Sequence, residues 1–94
     1  MNRFEWCNFS ANFGKRDSDL MVRCYDTLMG NVYEGREGYE WSPYRCITPG
    51  KKSFPGIWNW DSAFHAIGVS RWDTQLAKES ILGFLKFQRE DGAL

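Results

Sequence analysis

Two helical patterns joined by a very short connection most strongly constrain the fold of this chain. In "RWDTQLAKESILGFLKFQREDG" the apolar residues recur at helical spacing and form one stripe. That stripe consists of Ala77, Ile81, Phe84 and Leu85. Asp73 or Thr74 can cap the start of this helix, and Gly92 is expected to end it.

The preceding helix is predicted to begin at Trp60 or Asp61 and to end at about Val69. Its apolar residues Trp60, Phe64 and Ile67 have the spacing i, i+4, i+7 and therefore share one face. Only "VSRWD" separates the two patterns. Because so short a connection brings the two helices side by side, the pair is predicted to form an αα-hairpin.

An earlier helix is predicted from about residue 18 to about residue 32. Asp17 or Ser18 can cap it. Leu20, Cys24 and Leu28 recur on one face, and beside them lie Met21, Tyr25 and Met29.

A long irregular loop is predicted between this first helix and the hairpin. The segment "EGREGYEWSPYRCITPGKKSFPG" carries all three prolines of the chain and four glycines. A short extended piece is expected at about residues 44–47, and no other segment has a pronounced strand pattern. The predicted class is therefore all-α.

Composition limits the classes of partner. The 94 residues suffice for one small domain, and apolar residues make up 43% of them. Twelve basic residues balance twelve acidic ones, so the excess of positive charge typical of nucleic-acid binding is missing. The charges are interspersed, with no polybasic patch or apolar run suited to a membrane. Neither nucleic acid nor membrane is expected as a partner.

The cysteines and the single histidine predict neither a disulfide framework nor a metal site. Cys7, Cys24 and Cys46 are odd in number and lack C-x-x-C spacing. Free thiols in a reducing compartment are the simplest interpretation, and no signal peptide pattern is visible. We therefore expect a cytoplasmic protein without metal or cofactor.

The segment "FPGIWNWDSAFHAIG" holds the candidate functional residues, and each has two interpretations. Trp58 and Trp60 can attach the loop to the core, or they can form an apolar wall on which a sugar ring stacks. Asp61 can cap its helix, or it can bind sugar hydroxyl groups. His65 can be a neutral histidine hydrogen-bonded in the interior or paired with Asp61, or it can donate into a cleft.

A family resemblance joins these motifs. Residues 54–94 resemble the opening of the catalytic domain of glycoside hydrolase family 63, in particular its bacterial mannosylglycerate and glucosylglycerate hydrolase-like branch. The residues that carry the resemblance are Phe54-Pro55, Trp58, Trp60-Asp61-Ser62, Asp73, Ala77-Lys78-Glu79, Gln88 and Asp91-Gly92. Ile47 to Gly50 fits the segment that precedes them, and the first helix matches loosely. Trehalases, which are more distant, begin their catalytic domains in a similar way.

The resemblance implies an (α/α)6 barrel, of which residues 1–94 would be an N-terminal fragment with the first helices. It implies that Trp58, Trp60 and Asp61 line the pocket for the non-reducing-end sugar of a saccharide or glycoside. Phe54, His65, Gln88 and Asp91 are further candidates for substrate binding.

The resemblance also implies hydrolysis with inversion, in which one carboxylic acid protonates the leaving oxygen and a second carboxylate activates water. In this family both residues lie beyond the segment that corresponds to Leu94. No catalytic residue is therefore assigned, and the chain alone is expected to be inactive without the remainder of the barrel.

Two other functions are compatible with the same residues. The aromatic wall also suits a non-catalytic carbohydrate-binding module or a helical interaction module. A tryptophan-rich DNA-binding bundle is disfavoured by the zero net charge and by tryptophan spacings that do not repeat.

Overall fold

The computed structural model describes residues 1–33, 43–51 and 59–92, and these residues are mainly helical. The elements, in chain order, are α1 (Arg3–Ser10), a 3-10 turn (Ala11–Phe13), α2 (Lys15–Gly30), β1 (Val32–Tyr33), β2 (Cys46–Ile47), α3 (Asn59–Val69) and α4 (Thr74–Leu85). The all-α class predicted from the sequence agrees with this content of helices, to which one very small sheet is added.

Helix α1 was not predicted, and a capping box begins it. The Asn2 side chain accepts a hydrogen bond from the Glu5 backbone N–H at 2.9 Å, and the Glu5 carboxylate accepts one from the Asn2 N–H at 3.0 Å. Trp6 is buried, and its indole N–H donates to the carbonyl oxygen of Met21 at 2.8 Å. These contacts dock α1 on α2.

Helix α2 begins and ends a little earlier than predicted and buries a different face. Gly14, with φ of +84°, precedes its first residue Lys15, so neither Asp17 nor Ser18 is the cap. Leu20 and Cys24 are exposed, whereas Tyr25 is buried. Met21, Leu28 and Met29 pack against the core beside Tyr25. The indoles of Trp6 and Trp72 cover the face of α2 that contains Tyr25.

A two-residue antiparallel ladder joins β1 to β2. Val32 pairs with Ile47 and Tyr33 pairs with Cys46. This confirms the second half of the extended piece expected at residues 44–47, because the strand is limited to Cys46–Ile47. It corrects the predicted end of the first helix, because Val32 belongs to a strand and is buried in the same core cluster as Ile47.

Helices α3 and α4 form the predicted αα-hairpin. The Asp73 side chain caps α4 by accepting a hydrogen bond from the Leu76 N–H at 2.9 Å. Helix α4 ends at Leu85 rather than at Gly92. The N–H groups of Phe87 and Gln88 bond to carbonyls three residues back, which tightens the chain into 3-10-type turns.

The apolar stripes predicted for the hairpin point largely outward. In α3, Trp60, Phe64 and Ile67 do share one face, but they are 72%, 64% and 62% exposed. In α4, Ile81 and Leu85 are also exposed, although Ala77 is buried as expected from a core position. The buried residues of α4 are Leu76, Ala77, Ser80 and Gly83. The core therefore uses the small residues of the hairpin and leaves much of its large apolar surface open.

Candidate functional site

Two of the seven predicted site residues, Phe54 and Trp58, lie outside the described residues. The other five fall into two groups. Trp60, Asp61 and His65 lie on the first two turns of α3, and Gln88 and Asp91 lie in the turns that follow α4.

The first turn of α3 presents an aromatic pair next to a carboxylate. The rings of Trp60 and Phe64 lie with their centroids 6.1 Å apart, and both side chains are mostly exposed. Trp60 is therefore not part of the core that the described residues form. Asp61 is half-buried in the first turn, where the helix dipole favours a negative charge. An open apolar surface thus lies beside an acceptor of hydrogen bonds.

His65 lies one turn after Asp61 and is half-buried. Burial lowers its pKa, while a hydrogen bond with the Ile47 backbone and the charge of Asp61 act in the opposite direction. Because burial dominates, the imidazole is neutral at pH 7. Its Nδ1 atom is buried and has no hydrogen-bond partner among the described residues. This ring is therefore partly shielded from solvent.

Gln88 and Asp91 are exposed and take part in local contacts. The Gln88 side-chain amide donates to the carbonyl oxygen of Gly92 at 3.1 Å. The Asp91 carboxylate lies 3.2 Å from the Arg89 guanidinium. Both contacts stabilise the turn at Gly92, whose φ is +87°.

An apolar groove of about 660 Å³ lies between α3 and α4. It is lined by Ser62, Ala63, Ala66, Ile67, Ser70, Thr74, Ala77, Lys78, Ser80, Ile81, Phe84 and Leu85. The hydroxyl groups of Ser62 and Ser80 are buried and have no hydrogen-bond partner among the described residues. The exposed side chains of Ile67 on α3 and of Ile81 and Leu85 on α4 line this groove, whereas Trp60 and Phe64 do not.

An ion pair between Arg45 and Glu79 was missed by the sequence analysis. The Arg45 guanidinium reaches the Glu79 carboxylate at 2.6 Å, and the side chains are only 29% and 16% exposed. The hydrogen bonds from Arg45 hold the pKa of Glu79 below its usual range. Glu79 stands in a motif that the resemblance identified, but its partner is 34 residues away and no local pattern indicates it.

Within residues 1–33, 43–51 and 59–92, no group of three or more acidic, histidine or cysteine side chains could hold a metal ion. No helix in the same part of the chain has the length and apolar character needed to cross a bilayer.

Comparison with known families identifies the class of protein. Residues 22–94 match the family model described as the glycosyl hydrolase family 63 C-terminal domain. The match extends from the first half of α2 through the aromatic turn and the hairpin, so the chain is of the glycoside hydrolase class. It belongs to glycoside hydrolase family 63. No curated protein and no solved structure matched the chain.

Proposed function

We propose that this chain supplies one wall of the saccharide pocket in a family 63 glycosidase domain. The observation that carries the proposal is the exposed Trp60–Phe64 pair with Asp61 beside it at the start of α3. A sugar presents apolar C–H faces and polar hydroxyl groups. An exposed indole can stack against the C–H faces, and an adjacent carboxylate can accept hydrogen bonds from the hydroxyl groups.

The proposal includes the flanking residues that the resemblance indicates. Phe54 and Trp58, which precede α3 in the sequence, would extend the aromatic wall. His65 would support the wall from behind, since it is half-buried one turn after Asp61 on α3. Gln88 and Asp91 are proposed as more peripheral contacts, because both lie on the exposed surface that follows α4.

The wider domain is proposed to be an (α/α)6 barrel, and this chain is proposed to contribute its first helices. The apolar groove between α3 and α4 supports this, because a surface with so many exposed apolar side chains is normally covered. Two buried serine hydroxyl groups on its flanks also lack partners among the described residues. Further helices packed in this groove would remove the apolar surface from water.

The reaction is proposed to be hydrolysis of a glycosidic bond with inversion. Such a reaction needs an acid and a base about 6.5–9.5 Å apart on opposite sides of the bond. We propose that both come from residues outside these 94 and that Asp61 binds substrate instead. The chain alone is then expected to be inactive. Mannosylglycerate and glucosylglycerate are the proposed substrates, and a cytoplasmic location is supported by the three free thiols.

Nuclear magnetic resonance can test the binding wall directly. Titration of ¹⁵N-labelled chain with glucosylglycerate or mannosylglycerate should shift the Trp60 indole N–H and the Asp61 amide signals in a saturable way. Trp60→Ala should abolish the shift of the Asp61 amide signal. Phe4→Ala, which removes an exposed aromatic side chain from α1, should preserve it. Saturable shifts that survive Trp60→Ala, or no shifts with either saccharide, would contradict the proposed wall.

A helical interaction module is the second candidate, and the same groove favours it. The two candidates differ in the effect of Ile81→Asp, which places a charge in the groove. A saccharide wall should keep its binding in this variant, because Trp60 and Asp61 are unchanged. An interaction module should lose its partner. Hydrolysis of either saccharide by the unmodified chain would contradict the expected inactivity.

A further inference from the structure

The chain exposes more surface than a monomer of its mass usually does. Its mass is 11.0 kDa and its accessible surface is 6516 Å². A folded monomer of this mass typically exposes about 5,600 Å², so this chain exposes about 900 Å² more. In a standard protein–protein interface each partner buries about 800 Å². The excess therefore corresponds to one side of one interface.

The groove between α3 and α4 is an apolar part of this surface. Its flanks carry the exposed side chains of Ile67, Ile81 and Leu85, and the small buried residues Ala66 and Ala77 also line it. A contiguous apolar surface of this kind typically marks an interaction site. The element that covers the groove therefore has to bring large apolar side chains.

The groove also has unused hydrogen-bonding capacity. The hydroxyl groups of Ser62 and Ser80 line it, are buried and have no partner among the described residues. A buried polar group without a partner lowers stability, so the covering element should bring polar groups as well. The hairpin itself carries both kinds of group on this face, because the exposed polar side chains of Thr74 and Lys78 line the groove too.

The two ends of the groove differ in size. Ser70 and Thr74 line the end next to the connection between the helices, and Phe84 and Leu85 line the other end. A second hairpin turned end over end places its large end on the small end of the first. Two-fold symmetry then fits both ends at once. Two hairpins packed in this way form an antiparallel four-helix bundle.

Charge does not oppose such a pairing. The chain has twelve basic and twelve acidic residues, so two copies carry no net repulsion. Among the described residues that line the groove, Lys78 is the single charged one. Its aliphatic stem can pack on apolar neighbours while its ammonium group stays in water.

We propose that a second copy of this chain occupies the groove and forms a two-fold dimer with antiparallel hairpins. The inference rests on the second candidate function proposed above, the helical interaction module, and names its partner. It is independent of the saccharide wall, because neither Trp60 nor Asp61 lines the groove. Helices of the proposed barrel would compete with the second copy for this surface.

Analytical ultracentrifugation of the whole chain over a wide range of concentrations tests the dimer. The unmodified chain should show the mass of two chains and dissociate on dilution. Ile81→Asp should weaken association by at least about a hundredfold, because each dimer then buries two unpaired carboxylates. Leu20→Asp is the matched control, since it makes a similar change at an exposed position on α2, and it should remain dimeric. Ile67→Asp replaces Ile81→Asp if circular dichroism shows that the latter does not fold.

Nuclear magnetic resonance tests the antiparallel arrangement. Thr74 and Phe84 lie ten residues apart on α4, which separates them by about 15 Å along the helix axis. A nuclear Overhauser effect between the Thr74 methyl group and the Phe84 ring therefore arises only between copies. Isotope-filtered spectra of an equal mixture of labelled and unlabelled chains should show it.

Four outcomes would overturn the proposal: a monomer at every concentration, open-ended association, a dimer unaffected by the charge in the groove, or a dimer without the contact between Thr74 and Phe84. A chain that forms this dimer but shows no shifts with either saccharide would count against the saccharide wall alone. A strictly monomeric chain whose Trp60 signal shifts with saccharide would count against the dimer alone.

Discussion

The indole rings of Trp6 and Trp72 pack against each other with their centroids 5.0 Å apart and their planes inclined by 57°. Tyr25 joins them, with its ring 4.9 Å from that of Trp72. The three aromatic side chains belong to α1, α2 and the turn between α3 and α4. They bind the first helix, which precedes the family match, to the hairpin that carries the candidate site.

Replacement of Trp6 by Ala should lower the free energy of unfolding by about 3–5 kcal/mol, the usual cost of removing a large buried aromatic side chain. The variant also loses the hydrogen bond to Met21. Phe4→Ala, on the exposed side of α1, should change stability by less than about 0.5 kcal/mol. Urea denaturation followed by far-ultraviolet circular dichroism would measure both. Similar losses in the two variants would mean that α1 does not pack as described.

Replacement of Asp73 by Ala should cost about 1 kcal/mol, because the N–H of Leu76 loses its partner at the start of α4. Asn accepts the same hydrogen bond, so Asp73→Asn should be close to neutral. The difference between the unfolding free energies of the two variants, measured by chemical denaturation, gives the contribution of the capping hydrogen bond. An equal loss in both would show that the charge of Asp73, rather than its capping hydrogen bond, is what matters.

Replacement of Gly68 by Ala should stabilise the chain by less than about 1 kcal/mol. Alanine is the better helix former by about 1 kcal/mol, but its Cβ would lie 3.2 Å from Cδ1 of Leu28. Because that atom ends a flexible, half-buried side chain, a small shift relieves part of the contact. In the background Leu28→Ala, the gain from Gly68→Ala should be larger. A double-mutant cycle measures this coupling, and complete additivity would contradict the close approach of α2 and α3.

Stability should fall as the pH is lowered through about 6.5. Burial lowers the pKa of His65 in the folded chain relative to the unfolded chain, so the unfolded chain binds the proton more readily. The neutral imidazole therefore contributes fully to the free energy of unfolding at pH values above the pKa of His65 in the unfolded chain. This contribution is lost as the pH falls through the pKa of His65 in the folded chain. His65→Gln should flatten the profile between pH 5 and 7.5 in urea denaturation. The same slope in both proteins would assign the effect to another group.

Alkylation should distinguish the three thiols. Cys46 is fully buried, and its pKa is raised to about 12, mainly by burial and also by the charge of Glu79. At pH 8 it is protonated and should react with iodoacetamide far more slowly than the exposed Cys24. Mass spectrometry of the labelled peptides would show the order in which the cysteines react. Unfolding in urea should remove the difference between their alkylation rates. Equal rates in the folded chain would contradict the burial of β2.

The elements that the sequence predicts well are those made by local contacts. Helix α3 was predicted within one or two residues of its start and at its end, and the Asp73 cap was confirmed. The capping box of α1, which spans Asn2 to Glu5, is a local signal too and was overlooked. Interactions over three or four residues depend on the neighbouring side chains alone, so sequence patterns can indicate them.

The family was also accessible from the sequence. The motif around Trp60-Asp61-Ser62, taken with Gln88 and Asp91-Gly92, indicated glycoside hydrolase family 63, to which the chain belongs. Motifs of this kind are short runs with fixed spacing. Such motifs identify relatives without information on which surfaces of the helices and strands pack together.

Only the tertiary structure decided which faces are buried and which distant residues meet. Helical spacing placed Leu20 and Tyr25 on adjacent stripes, and the docking of Trp6 and Trp72 determined that Tyr25 is the buried one. Spacing also aligned Trp60 with Phe64, but the hairpin packs through small residues and leaves both rings open. Glu79 meets Arg45 across 34 residues. Such choices depend on the shape of partners brought together by the fold, and a periodic pattern of apolar residues does not contain that information.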